Sequence, residues 1–270
     1  MNAEHVDTFR KWFSDYVAAY YTDDSQHNET IRLKEEHTKR VCKEIIMLGE
    51  ALNLPAQDMM LAETMALFHD LGRFKQFATY GTFEDARSEN HAALGLRELS
   101  RARVLSVCSE PEQSLMTRAI GYHNVRVLPR DLDEGTLFFS RLLRDADKLD
   151  IWKVFIDYYD SPGEQRNAMI VWGLPDEPMC SSMIVNALRR QEMGDTRHMA
   201  TLNDYKLLQI SWVFDVNFAP TFAAVFERRY AQKIAATLTP GLRVEPVIEA
   251  VLAYVQNRQT PREPVYGQAG

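Results

Sequence analysis

The 270-residue chain has three cysteines, Cys42, Cys108 and Cys180, and none of them forms a CxxC pair. An odd count without paired spacing speaks against a disulfide framework and fits a reducing compartment, with the thiols packed as small hydrophobes. An excess of cationic residues is also missing. Lys plus Arg is 31 against 38 for Asp plus Glu, a formal balance of −7, so stable nucleic-acid binding is not expected. Long apolar runs are absent too: charged or polar residues interrupt each one before the roughly 18 residues that a span requires. The start, Met1-Asn2-Ala3-Glu4-His5-Val6-Asp7, lacks a basic stretch followed by an apolar one. The expectation is a cytoplasmic protein without a membrane partner. Gly and Pro are few, at 12 and 11, and no internal repeat is visible, which excludes collagen-like and mucin-like readings.

What is present is globular. Hydrophobic residues are 46% and charged residues 26%, enough for a sizeable core without covalent staples. Helical periodicity dominates, and no strand alternation of useful length occurs. The pattern predicts an all-α protein with helices over about 4–21, 29–53, 57–71, 89–100, 111–124, 134–159, 164–173, 181–192, 204–216, 219–238 and 244–257. Asn28 and Ser88 are expected as N-caps. Residues 1–27 read as an N-terminal helix packing on a core at 28–160. Residues 161–258 read as further C-terminal helices of the same compact unit, and 259–270 as a flexible tail. The stretch 74–89 reads as a long loop suited to a lid. The aromatics Trp212, Phe214, Phe218, Phe222 and Phe226 read first as core and second as a homodimer surface.

Polar residues on apolar helical stripes carry the chemistry. His37 lies in line with Val41, Ile45, Leu48 and Leu52; His69 closes the stripe Ala62, Met65, Ala66; His123 continues Met116, Ala119, Ile120; and Asp147 falls between Leu143 and Ile151. Taken singly, each has an ordinary explanation. A histidine can be hydrogen-bonded in a core, and Asp147 can pair with Lys148 or Arg144. Four on separate helices suggest that the helices aim them at one point. His91 sits on a weakly periodic helix, while His5, His27 and His198 lie in polar surroundings and receive no role.

The order His37, His69-Asp70, His91, His123, Asp147 resembles the H…HD…H…H…D pattern of two-metal members of the HD-domain superfamily, over roughly residues 28–160. His69-Asp70-Leu71-Gly72-Arg73 resembles the HDxGK segment of the cyclic-dinucleotide-cleaving branches, with Arg for Lys. Glu89-Asn90-His91 is similar to the motif that supplies the third histidine there. Residues 144–150, Arg-Asp-Ala-Asp-Lys-Leu-Asp, resemble the closing segment, which points to Asp147 as ligand over Asp145. Asp145 is expected on the polar face, and Asp150 behind the ligands. The chain departs from the pattern at Gly121-Tyr122-His123-Asn124, which lacks Gly-Tyr-Pro and has Asn where a second His often stands. It departs again at Arg73, where the nucleotidase and alarmone-hydrolase branches carry Glu.

The resemblance implies an HD-type helical bundle with two divalent transition metals. His37, His69, Asp70 and Asp147 would hold the first, Asp70 would bridge, and His91 with His123 would hold the second. A mixed nitrogen and oxygen set suits Mn, Fe, Co, Ni or Zn. The implied activity is a metal-dependent phosphohydrolase acting on a small phosphoester such as a nucleotide or cyclic nucleotide, with Arg73 and Lys148 stabilising the transferring charge. The same ligand order resembles that of HD-fold di-iron oxygenases, and a non-catalytic nucleotide-sensing module is the third expectation.

Overall fold

The computed structural model describes residues 1–161 and 173–260. The helix expected over 164–173 and nearly all of the expected tail lie outside the described residues. Among those described, the chain is all-α. Its helices are α1 (Ala3–Ala18), α2 (Ser25–Ala51), α3 (Ala56–Phe68), α4 (Leu71–Tyr80), α5 (His91–Arg101), α6 (Glu110–Tyr122), α7 (Glu134–Asp160), α8 (Ser182–Arg189), α9 (Leu202–Ser211), α10 (Ala219–Glu227), α11 (Tyr230–Ala235) and α12 (Glu245–Gln256). None is long and apolar enough to cross a membrane. The chain divides into two compact units, Met1–Asp147 and Lys148–Gly270, with the boundary inside α7.

In the first unit the apolar stripes find each other. α1 buries Val6, Phe9, Phe13 and Val17 at helical spacing. Phe9 meets Phe68 of α3 edge to face at 5.7 Å, and Phe13 meets Phe74 of α4 at 5.9 Å. α2 buries the expected stripe of His37, Val41, Ile45 and Leu48. Its N-cap is Asp24, which accepts from the backbone of Gln26 and His27, so α2 starts a turn before the expected Asn28. Asn28 instead holds the preceding turn by accepting from Thr22 N at 2.9 Å.

The stretch expected as one loop from 74 is helical as far as Tyr80. α3 stops at Phe68, the backbone turns through Asp70 (φ −102°, ψ 13°), and α4 runs on to Gly81, whose φ of +66° closes it in the left-handed conformation. The remaining connection, 81–90, contains a short 3-10 turn over Asp85–Arg87. Asn90, not Ser88, caps α5 by accepting from Ala93 N at 2.9 Å.

Helices α4 and α5 approach at glycines. A Cβ on Gly72 would lie 2.1 Å from the carbonyl oxygen of His91 and 2.6 Å from the nitrogen of Gly95. Only a residue without a side chain permits this approach.

The second unit is organised around α9, every residue of which is buried. Its polar side chains tie down the surrounding chain. Asn203 Nδ2 donates to Glu177 O at 2.7 Å and to Thr239 Oγ1 at 3.0 Å, and Lys206 Nζ donates to Thr237 O at 2.6 Å. Trp152 donates to Gln209 O at 2.9 Å, and Phe155 meets Tyr205 edge to face at 5.1 Å. Of the five aromatics that stand out in this region, Phe222 is core, and Trp212, Phe214, Phe218 and Phe226 are half-buried.

Gly72→Ala is expected to destabilise the protein by about 2–4 kcal/mol, because backbone rather than flexible side chain must move. Gly121→Ala serves as the control, since its added Cβ would meet only Leu96 Cδ1, at 3.5 Å, and should be neutral or stabilising by up to about 1 kcal/mol. Urea unfolding of the two variants checks the contrast, and equal stabilities would contradict it.

Candidate metal centre

His69 and Asp70 stand where α3 ends and α4 begins, so a helix break rather than a helix face aims them inward. His69 is the C-cap of α3, and Asp70 stands at the N-cap position of α4 without capping it through its side chain. His91 is the first residue of α5, and His123 is the C-cap of α6. His37 and Asp147 project from within α2 and α7. The four histidines and Asp70 are buried, and the Asp147 side chain retains 16% exposure.

These side chains form two groups that share Asp70. On one side, His37 Nε2 lies 3.3 Å from His69 Nε2 and 3.5 Å from Asp70 Oδ2. Asp147 Oδ1 lies 3.2 Å from His37 Nε2 and 3.6 Å from His69 Nε2. On the other side, His91 Nε2 is 2.9 Å from His123 Nε2 and 3.3 Å from Asp70 Oδ1, with His123 Nε2 3.9 Å from the same oxygen. Around an ion with bonds of about 2.0–2.1 Å, neighbouring donors stand about 3.0–3.5 Å apart. Both groups, His37–His69–Asp70 and Asp70–His91–His123, could hold a metal ion.

The protonation pattern supports that fit. His69 Nδ1 donates to Ala66 O and His123 Nδ1 to Ile120 O, each at 2.7 Å. His91 Nδ1 faces the Asp85 carboxylate at 2.8 and 2.9 Å. With Nδ1 committed outward, the proton of a neutral ring is there and Nε2 offers a lone pair inward. Burial, reinforced by Arg73, lowers the His91 pKa, and burial with neighbouring His91 and His69 lowers that of His123 to about 3. Neutral rings protonated at Nδ1 would set two nitrogen lone pairs against each other across the 2.9 Å between His91 Nε2 and His123 Nε2. Asp147 Oδ1 is buried without a hydrogen-bond partner. Burial alone would raise the Asp70 carboxyl, but Lys34, Arg73, His69 and His91 bring it well below the usual range. Burial likewise opposes ionisation of Asp147, and His37 and His69 reverse it.

The cations are arranged differently from the sequence expectation. Lys34, one turn before His37, is the close one: its Nζ lies 2.8 Å from Asp70 Oδ2 and 5.4 Å above the Phe83 ring, with 19% of the side chain exposed. Arg73 Nε lies 3.3 Å from Asp70 Oδ1, while its Nη1 donates to Gln76 Oε1, Phe83 O and Asp85 Oδ1. Lys148, expected beside the reacting group, pairs with Asp215 at 2.6 Å within the second unit. Arg144 is buried and donates to the carbonyls of Tyr122, His123 and Val125, bracing the end of α6. Asp145 is fully buried, not on a polar face, and Asp150 is buried as well.

Lys34, Asp85, Gln76 and Asn124 are the neighbours that the sequence reading missed. Lys34 precedes His37 by three residues, on the same face of α2, and that spacing could have flagged it. Asp85 has no comparable signal, because its position depends on how 81–90 folds back onto α4. Compared with protein-family models, with curated proteins and with solved structures, the chain matches none.

With His123 held from 6.5 to about 3, the unfolded metal-free chain binds more protons than the folded one as the pH drops below about 6.5. Stability should therefore fall on acidification, and the losses from Asp70 and Asp147 should begin only below about pH 4. The melting temperature of metal-free protein is expected to be about 2–4 °C lower at pH 5 than at pH 7, or more. An equal or higher value at pH 5 would contradict neutral buried imidazoles.

Proposed function

We propose that the protein is a metal-dependent phosphohydrolase of the HD type, cleaving a small phosphoester such as a nucleotide or cyclic nucleotide. The observation that carries the reading is the two-faced Asp70, with one oxygen toward His37 and His69, which Asp147 also faces, and the other toward His91 and His123. That donor set suits two divalent transition metals, and the order of the ligands along the chain is that of the HD pattern. Metals held by these residues would supply a water activated for attack at neutral pH and positive charge to offset that developing on a phosphoryl group.

The chain's own residues supply the rest. Lys34 is the partly exposed cation beside Asp70, and it takes the role of binding a substrate phosphoryl oxygen. Arg73, whose Nη1 is spent on three protein oxygens, fixes Asp70 and the 81–90 connection. The Nδ1 tethers keep His69, His91 and His123 turned inward.

Elemental analysis beside a Mn-supplemented assay on aryl phosphate mono- and diesters tests this. About two transition metals per chain with phenol release are expected. Asp70→Asn should lose metal and turnover together, and full activity in that variant would sink the proposal. Two irons with oxygen uptake and no hydrolysis would reassign the site to an oxygenase. Lys34→Ala should keep its metals and lose about 100-fold in kcat/KM, with partial recovery in Lys34→Arg; an unchanged kcat/KM would remove Lys34 from substrate binding.

A further inference from the structure

The two halves of the centre are built from different materials. His69 and His123 are tethered through Nδ1 to carbonyls three residues earlier in their own chain turn, Ala66 and Ile120. Those tethers form whenever α3 and α6 form. His91 has no such internal tether. Its backbone is fixed by the close approach of Gly72, but its Nδ1 partner is Asp85, on the 81–90 connection.

That connection is itself pinned from α4. Gln76, fully buried, donates through Nε2 to Asp85 Oδ1, Ser88 Oγ and Glu89 O, each at 2.8 Å. Arg73 donates to Phe83 O and to Asp85 Oδ1. Asn124, the residue after His123, donates to Asp85 Oδ2 at 3.3 Å. Three side chains, two from α4 and one from the turn after α6, therefore converge on one loop carboxylate, and that carboxylate turns one imidazole.

We propose that Asp85 is the positioning residue of the His91–His123 half, so that this half forms only when the 81–90 connection is latched onto Gln76 and Arg73. The inference rests on reading the cluster as a two-metal centre. It makes the halves unequal: the His37–His69–Asp147 half is set by helices, whereas the other answers to a loop. Removing an outer partner of a ligating histidine typically costs about 10–100-fold in metal affinity, and here that loss should fall on one ion of the two.

Mn(II) titration of metal-stripped full-length protein by calorimetry, with electron paramagnetic resonance of the loaded samples, tests the latch. The wild type should take two ions and give the signal of a coupled pair. Asp85→Ala should keep one ion at wild-type affinity, weaken the second about 10–100-fold, and convert the coupled signal to that of an isolated ion. Asp85→Asn, which still offers Nδ1 an acceptor oxygen, should recover much of the second affinity. Gln76→Ala, which leaves Asp85 in place but cuts its anchor, should shift the second affinity in the same direction and decides the matter if Asp85→Ala does not fold. Two unchanged affinities in Asp85→Ala and Gln76→Ala would overturn the latch, and loss of both ions in a folded variant would overturn the division into halves. A wild type that takes one ion or none would overturn the two-metal reading beneath it, an outcome visible before any variant is made.

Discussion

The Asp70 carboxylate faces two ways, and the arrangement of the first unit follows from what surrounds its two oxygens. Imidazole nitrogens approach each oxygen, and at 2.9 Å His91 Nε2 and His123 Nε2 approach each other. Lone pairs so disposed repel unless a cation lies among them. Lys34 and Arg73 set a cation beside each Asp70 oxygen, but a fold that selected only for stability would have replaced the imidazoles around it with apolar side chains. This one holds the acceptors in place by spending the outer nitrogens on carbonyls and a carboxylate, and by burying the rings, which favours the neutral form of His91 and His123.

Helix ends make that placement possible. A residue inside a helix is bound to the direction of its face, whereas a residue at a terminus can leave that direction. His69, Asp70, His91 and His123 all stand at or beside termini. Asp70 gains further from its position at the N-terminus of α4, the positive end of the helix dipole. The glycine contact between α4 and α5 brings His91 within reach of Asp70, which is why a methyl group at Gly72 bears on the site as well as on packing.

Much of this was legible in the sequence, and the limits have physical causes. The all-α class follows from periodicity alone. His37, His69, His123 and Asp147 were visible as polar residues on apolar stripes, and the order that they form with Asp70 and His91 carried the resemblance. The break between α3 and α4 was hidden because Ala62, Met65 and Ala66 continue smoothly into His69, so one helix explains the apolar positions as well as two do. α4 itself was masked by its aromatic and polar composition, although Gly81 marked its end. Lys34 could have been found by its helical spacing to His37. Asp85 could not, since a loop carboxylate acquires its meaning only from the helices that fold against it. Lys148, the neighbour of Asp147 in sequence, pairs with Asp215, because adjacency in a helix places the next side chain about 100° away.

Charge and donor type together narrow what the centre can hold. Three carboxylates, Asp70, Asp85 and Asp147, are set against two cations, Lys34 and Arg73, with the buried imidazoles His91 and His123 held toward the neutral form. The bare cluster is thus left with excess negative charge in a poorly solvated place, where an added cation gains most. Hard ions such as Mg and Ca favour oxygen shells, and four imidazole nitrogens against two inward carboxylates offer them a poor one. Transition ions accept that mixture. Two divalent ions would more than reverse the local charge, turning a cluster that repels anions into one that draws them toward Lys34. Empty and filled, the same six side chains would therefore present opposite fields to an anion. Since one divalent ion already outweighs the single excess negative charge, filling the less firmly built half would deepen the positive field rather than create it.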